Sequence, residues 1–204
     1  MQGSKEWKEL KVKSRFISGT SIQSICNEHP YKNADDIFNE INGIVPHFKG
    51  NADSKLGNIM EDKIVDLYRQ ATNHVVQTEN PMFHYPMHEN IGISPDGIII
   101  HDVGCEPLEI KYAARRKIIP GVIPLYYAGQ LQLTMAVCSS IWGVEVNSMT
   151  FVQTDASLVL DIIKVAAEPF YLQKRMPKLL AFVDRVNTFR RANPNWLENY
   201  WAWE

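Results

Sequence analysis

The stretch from Ile93 to Lys111 leaves this chain the least freedom in how it can fold. Leu108-Glu109-Ile110-Lys111 alternates apolar and charged residues, the period of a half-buried strand. Residues two apart on a strand share a face. Glu109 and Lys111 are therefore expected side by side, with Cα atoms about 6.6 Å apart, and Leu108 and Ile110 are expected toward the core. Upstream, Ile91 and Ile93 and the run Ile98-Ile99-Ile100 read as short strands, with Pro95-Asp96-Gly97 turning between them. A hairpin then carries Asp96 back beside Glu109. Two acids and a lysine meeting at one strand end are costly for a core and suit a hard divalent cation. The same residues also satisfy a plainer reading, an ordinary Asp turn and a solvated strand face.

The rest of the chain bears on that choice. Its 204 residues are 45% hydrophobic and 22% charged, an ordinary globular composition for which one domain is expected, with a core over about 14–165 and a helical, aromatic extension over 166–204. A net charge of −2 excludes a bulk basic field, so a nucleic-acid surface would have to be local. Cys26, Cys105 and Cys138 are scattered, with neither a disulfide framework nor a zinc spacing. With no secretory leader pattern and no apolar run of membrane length, an intracellular setting without a membrane partner is expected.

Residues 5–13 read as a short surface helix. Small hydroxylated residues, Ser18 to Ser21, precede Ile22, Ile25 and Cys26 at helical spacing and read as an N-cap; with Arg15 nearby they also suit a phosphate. Ala34–Ile41 is a further short helix. Gly50–Thr72 is the longest clean helical pattern, its apolar stripe running through Leu56, Ile59, Met60, Ile64, Val65, Leu67 and Tyr68. Glu61 lies in that inward row and needs a cation or a donor. Arg115-Arg116-Lys117 follows the acidic strand, either a solvated loop or a phosphate track. Leu125–Val137 reads as a helix that points the Gln130 amide inward. Residues 142–146 and 149–152 read as strands joined by a turn at Asn147-Ser148, and 158–163 as a strand with a helix as the alternative. Residues 169–191 read as a basic helix broken at Pro177. The tail, Trp196 to Trp203, reads as core cover or a subunit contact, with base stacking as a lesser alternative.

The order is helix Glu, turn Asp, strand Glu-x-Lys, helix Gln. It resembles the PD-(D/E)xK nuclease superfamily, and within it the phage lambda-type exonucleases, or YqaJ-like viral recombinases. Gly57 to Glu61, Ser94 to Gly97, Leu108 to Lys111 and Tyr127 to Gln132 carry the resemblance. Trp7, Arg15 to Ser21 and His29-Pro30-Tyr31-Lys32 follow the branch's opening pattern. Each piece is weak alone; four in order are fairly specific. One departure stands out. Gly19-Thr20-Ser21 replaces the branch's Thr-Ala-Ser, with Arg15 shifted by about one place.

The resemblance implies an α/β (α+β) fold, a central mixed β-sheet flanked by helices in the restriction-endonuclease-like manner. It implies a nuclease in which Asp96, Glu109, the Ile110 carbonyl and Glu61 hold one or two Mg²⁺ or Mn²⁺ ions. Lys111 orients or deprotonates the attacking water, and Gln130 positions Lys111 or that water. Arg15 and Ser21 would take a 5′-phosphate, and Arg115, Arg116 and Lys117 the DNA backbone. It further implies 5′ to 3′ digestion of one strand from double-stranded DNA ends, a single-strand annealing protein as partner, and a toroidal homo-trimer. The alternatives are a structure- or sequence-specific endonuclease on the same core and a non-catalytic DNA-binding module.

Overall fold

The computed structural model describes residues 5–14, 16–46 and 50–203. Its elements run α1 (Lys5–Lys13), β1 (Ile17–Ser18), α2 (Gly19–Ile25), α3 (Ala34–Ile41), α4 (Ala52–Thr72), β2 (Val75–Gln77), β3 (Phe83–Tyr85), β4 (His88–Ile93), β5 (Gly97–Ile100), β6 (Cys105–Ala113), α5 (Leu125–Trp142), β7 (Ser148–Asp155), β8 (Asp161–Ala166), α6 (Tyr171–Ala192) and α7 (Trp196–Trp201). The expected mixed sheet is present, five-stranded in the order β2-β5-β6-β7-β8. A three-stranded sheet, β1-β4-β3, lies apart from it.

Three helices begin on reciprocal caps, Ser18 with Ser21, Asn33 with Asp36 and Asn51 with Ser54, each satisfying amides the first turn leaves open. In β6 the pairing is antiparallel to β5 and parallel to β7, with Glu109 opposite Phe151 and Leu108 opposite Thr150. The central strand is covered on both faces. Leu108 and Ile110 pack with Ile64, Val65 and Tyr68 of α4. Phe151 packs on the other face in a larger core that includes α2, α5 and α6. Glu109 shares the Phe151 face and is 1% exposed, so β6 is not the half-solvated strand its alternation suggests.

Several boundaries differ from the sequence expectation. Ile91 and Ile93 do not pair with Ile98–Ile100; the Ser94-Pro95-Asp96 link passes from one sheet to the other, and the hairpin is β5–β6, closed over 101–104. Residues 142–146 form no strand. Trp142 completes α5, and Gly143 ends it in the left-handed region at φ 67°, where glycine costs least. The 158–163 strand starts later, at Asp161, because Leu158 takes φ 58° in a turn and Asp155 accepts the Ser157 amide. Pro177 sits inside an unbroken α6. Leu172, Leu179, Phe182 and Val186 pack on both sides of it, and that burial outweighs the roughly 3 kcal/mol an interior proline costs. The α4 stripe is buried only in its C-terminal half. Ile59 is 73% exposed and Leu56 is also exposed, and the N-terminal half of α4 lines a cleft instead of the core.

The aromatic tail covers its own chain. Tyr200 lies against Gly43, the Trp203 indole donates to the Gly43 carbonyl at 3.1 Å, and the Arg190 guanidinium stacks 3.6 Å from the Trp196 ring. Cys26 and Cys138 are buried free thiols and Cys105 is an exposed one. Among the described residues no helix is long and apolar enough to cross a membrane.

Candidate active site

The sequence-predicted acids meet in a cleft of about 600 Å³ where α4, the β4–β5 link, β6 and α5 converge. Glu61, Asp96, Glu109, Ile110, Lys111 and Gln130 all line it. Each element contributes for a local reason. Glu61 stands one turn before the buried Ile64 and Val65, where the α4 face passes from core to cleft. Asp96 is held because its Oδ2 accepts the Ile110 amide at 2.7 Å. Gly97 opens β5 where a Cβ would meet Val76 at 2.9 Å, so glycine lets the strand leave the turn that tightly. Gln130 comes from the buried row of α5 and donates to Glu109 Oε1.

Lys111 is the cation these acids share. Its ammonium bonds Glu109 Oε1 and lies 3.8 Å from Asp96 Oδ2. The other Glu109 oxygen, Oε2, is buried with no hydrogen-bond partner. A buried carboxylate oxygen left so is costly. Burial, then repulsion from Asp96, pushes Glu61 up to about 7. Burial, then Asp96, also raises Glu109, while Lys111 pulls it down. Burial works against the Lys111 charge, but Glu109 and Asp96 outweigh it and hold its pKa above the ordinary lysine value. Lys111 therefore stays an ammonium, and the acids carry more positive demand than one lysine meets.

That demand fits a hard divalent cation: the donors are carboxylate oxygens, and one of them, on a residue that lines the cleft, is buried without a partner. The side chains do not form a closed cage. Among the described residues no three His, Cys, Asp or Glu groups are gathered as a ready ligand set.

The predicted DNA-binding residues are less uniformly placed. Arg15 lies outside the described residues. Ser21 is buried, and its hydroxyl is committed to the α2 cap, accepting the Ser18 amide at 2.8 Å. Instead Ser18, Gly19 and Thr20 line the cleft. Arg115 pairs with Asp53 at 2.7 Å, and Arg116 donates to the Tyr126 hydroxyl at 2.7 Å. Both arginines line an adjoining hollow of about 240 Å³ that shares Asp53, Lys111, Tyr112 and Tyr127 with the cleft. Lys117 is exposed outside it.

Sequence reasoning missed Asp53, Gly19 and Tyr127. Gly19 carried a usable signal. A Cβ there would come 2.7 Å from Gln130 Cγ, so glycine is what lets α2 dock beside the Glu109 partner. Tyr127 places its ring 5.5 Å from the Lys111 ammonium, a contact no spacing rule reveals.

A mixed sheet between helices, with acids from a helix, a link and a strand and a lysine from that same strand over one cleft, defines a nuclease fold of the restriction-endonuclease-like class. Solved structures share it. The alkaline exonuclease LHK-Exo from Laribacter hongkongensis superposes with TM-score 0.68 at 17% identity, over 91% of this chain and 95% of that one. Its complex with dAMP gives 0.71 at 16% identity, over 94% and 99%. A phage related exonuclease from Haemophilus somnus 129PT gives 0.63 at 12% identity, over 90% and 99%. Comparison with curated proteins finds no significant match. The YqaJ-like viral recombinase domain matches residues 6–141, and the chain belongs to that family.

Proposed function

We propose that this protein is a metal-dependent exonuclease that hydrolyses phosphodiester bonds of linear double-stranded DNA, working 5′ to 3′ in phage-type recombination or genome processing. The observation that carries it is Glu109. One of its oxygens is held by Lys111 and Gln130, and the other is buried and unpartnered in a group that also feels the Asp96 charge. Family membership and the exonuclease folds of its structural neighbours support the same reading.

Asp96, Glu109, Glu61 and the Ile110 carbonyl would hold one or two Mg²⁺ or Mn²⁺ ions. Such an ion supplies charge neutralisation at the phosphoryl oxygens and a water of lowered pKa. The chain's residues do the rest. Lys111, kept charged by its acidic neighbours, orients the attacking water and counters charge developing on the phosphate. Gln130 fixes Glu109 and, through it, Lys111. Arg115, Arg116 and Lys117 grip the DNA backbone, with Arg115 exchanging Asp53 for phosphate. The 204 residues act as one nuclease unit, assembling as a homo-trimer and passing the exposed strand to a single-strand annealing protein.

The test is digestion of end-labelled linear duplex in Mg²⁺, comparing 5′-phosphate, 5′-hydroxyl and closed circular forms. Release of label from linear ends with circles left intact is expected. Cutting of circles would shift the reading to an endonuclease, and no cutting of any form would remove the nuclease reading.

A further inference from the structure

The catalytic cleft does not stop at Lys111. The Tyr127 ring beneath that ammonium packs inward on Phe151 at 5.9 Å and outward on Tyr126 at 4.5 Å. From Tyr126 the row continues to His29 at 6.4 Å and from His29 to Tyr31 at 5.8 Å. Tyr31 is 80% exposed. A continuous aromatic row therefore leads from a half-buried lysine to open solvent, between residues far apart in the chain.

Its members are held for use at a surface. Neighbouring rings meet edge-on or tilted, at 70° for His29 and Tyr31 and 64° for Tyr126 and Tyr127, so no ring lies flat over its neighbour and each pair leaves ring face uncovered. His29 Nδ1 accepts the amides of Tyr31 and Lys32 at 3.1 and 3.2 Å, which fixes the ring and leaves the proton on Nε2. Burial, then Lys32, lowers the His29 pKa, which favours the neutral ring. Arg116 places its guanidinium 5.9 Å from the Tyr126 ring and donates to its hydroxyl. Aromatic faces beside a phosphate-binding cation are the arrangement that takes unpaired nucleobases without sequence preference.

We infer that Tyr126, His29 and Tyr31 form a stacking track for unpaired bases of the DNA strand whose phosphate lies at Lys111. The inference rests on the nuclease reading and adds to it that the strand leaves its complement before reaching the surface at Tyr31. Fixed edge-to-face rings stack with bases at little entropic cost, because their positions are already set.

The experiment is a fluorescence titration in EDTA of a 5′-phosphorylated, 2-aminopurine-labelled single-stranded oligonucleotide, beside an abasic strand of equal length. Tyr31→Ala should weaken binding of the base-bearing strand about tenfold, the usual effect of removing one stacking ring. Tyr31→Phe should bind as the parent does, and the abasic strand should lose most of the difference. Equal affinity of Tyr31→Ala and the parent, equal affinity for the abasic strand, or no binding by the parent would each overturn the track. Digestion of linear duplex by the parent in Mg²⁺ tests the nuclease reading separately. A digesting enzyme with an inert Tyr31 sinks only the track.

Discussion

Asp96 Oδ2 accepts the backbone amide of Ile110 at 2.7 Å, so one carboxylate ties the turn between the two sheets to the strand that carries Glu109 and Lys111. The same group serves geometry and chemistry, and the two can be separated. In Asp96→Asn the side-chain oxygen still accepts that amide while the negative charge is gone. The fold should keep its stability within about 1 kcal/mol, and Mg²⁺-dependent digestion should be lost. Asp96→Ala removes both. Thermal melts and digestion of the same preparations check this; a digesting Asp96→Asn would take Asp96 out of the metal set.

Lys111→Ala removes the ammonium that bonds Glu109 and lies 3.8 Å from Asp96. Cleavage should fall roughly 10²- to 10³-fold, the cost of losing one aimed electrostatic group, with duplex affinity changed much less. Single-turnover rates beside binding constants separate the two, and a Lys111→Ala variant with normal single-turnover rate would refute the role.

Glu61 gives a pH prediction. Its pKa stands at about 7 against an ordinary 4.5, so the folded chain holds this proton more tightly than the unfolded one. Between those values stability contributed by the protonated group is lost as pH rises. Glu61→Gln abolishes that loss. In EDTA at pH 8 it should be more stable than the parent by about 1–2 kcal/mol, allowing for partial solvent screening, and the two should converge below pH 4.5. In Mg²⁺ the parent should gain stability that the variant does not. Denaturation at the two pH values, with and without the ion, decides it.

Arg115 is 74% exposed at its side chain and paired with Asp53 at the cleft rim. An exposed pair of this kind contributes about 1 kcal/mol at most, so a phosphate can displace it. Arg115→Ala with Arg116→Ala should weaken DNA binding and flatten its salt dependence by roughly two phosphate contacts. Asp53→Asn should tighten binding. An unchanged salt slope removes the arginines from the DNA path.

Gly129 tests the scaffold under the site. A Cβ there would overlap Gln23 Cγ and come within 2.9 Å of its Cδ, and Gln23 is buried and bonded to the Leu125 carbonyl. Gly129→Ala should therefore destabilise the α2–α5 contact by about 1–3 kcal/mol, despite the better helix propensity of alanine. A melt unchanged or raised by the substitution would show that the two helices can part freely.

The sequence by itself determined the local pieces. Periodicity placed α3 at its observed bounds, put Gln130 on the inward row of α5, and set Glu109 and Lys111 on one face of a strand. These are properties of neighbours along the chain, and the 3.6 and 2.0 residue repeats encode them. Tertiary structure alone decided the rest. That Glu109 is buried follows from α5 covering β6, which no alternation pattern contains. That Pro177 leaves α6 intact follows from packing on both sides of it. Ile59, apolar and in register with a core stripe, is 73% exposed because the core takes only the C-terminal half of α4. The meeting of Asp53 with Arg115, and of His29 with Tyr126, joins residues far apart in the chain. Such contacts are fixed by the burial of the whole core, a sum over all the elements that no single segment carries.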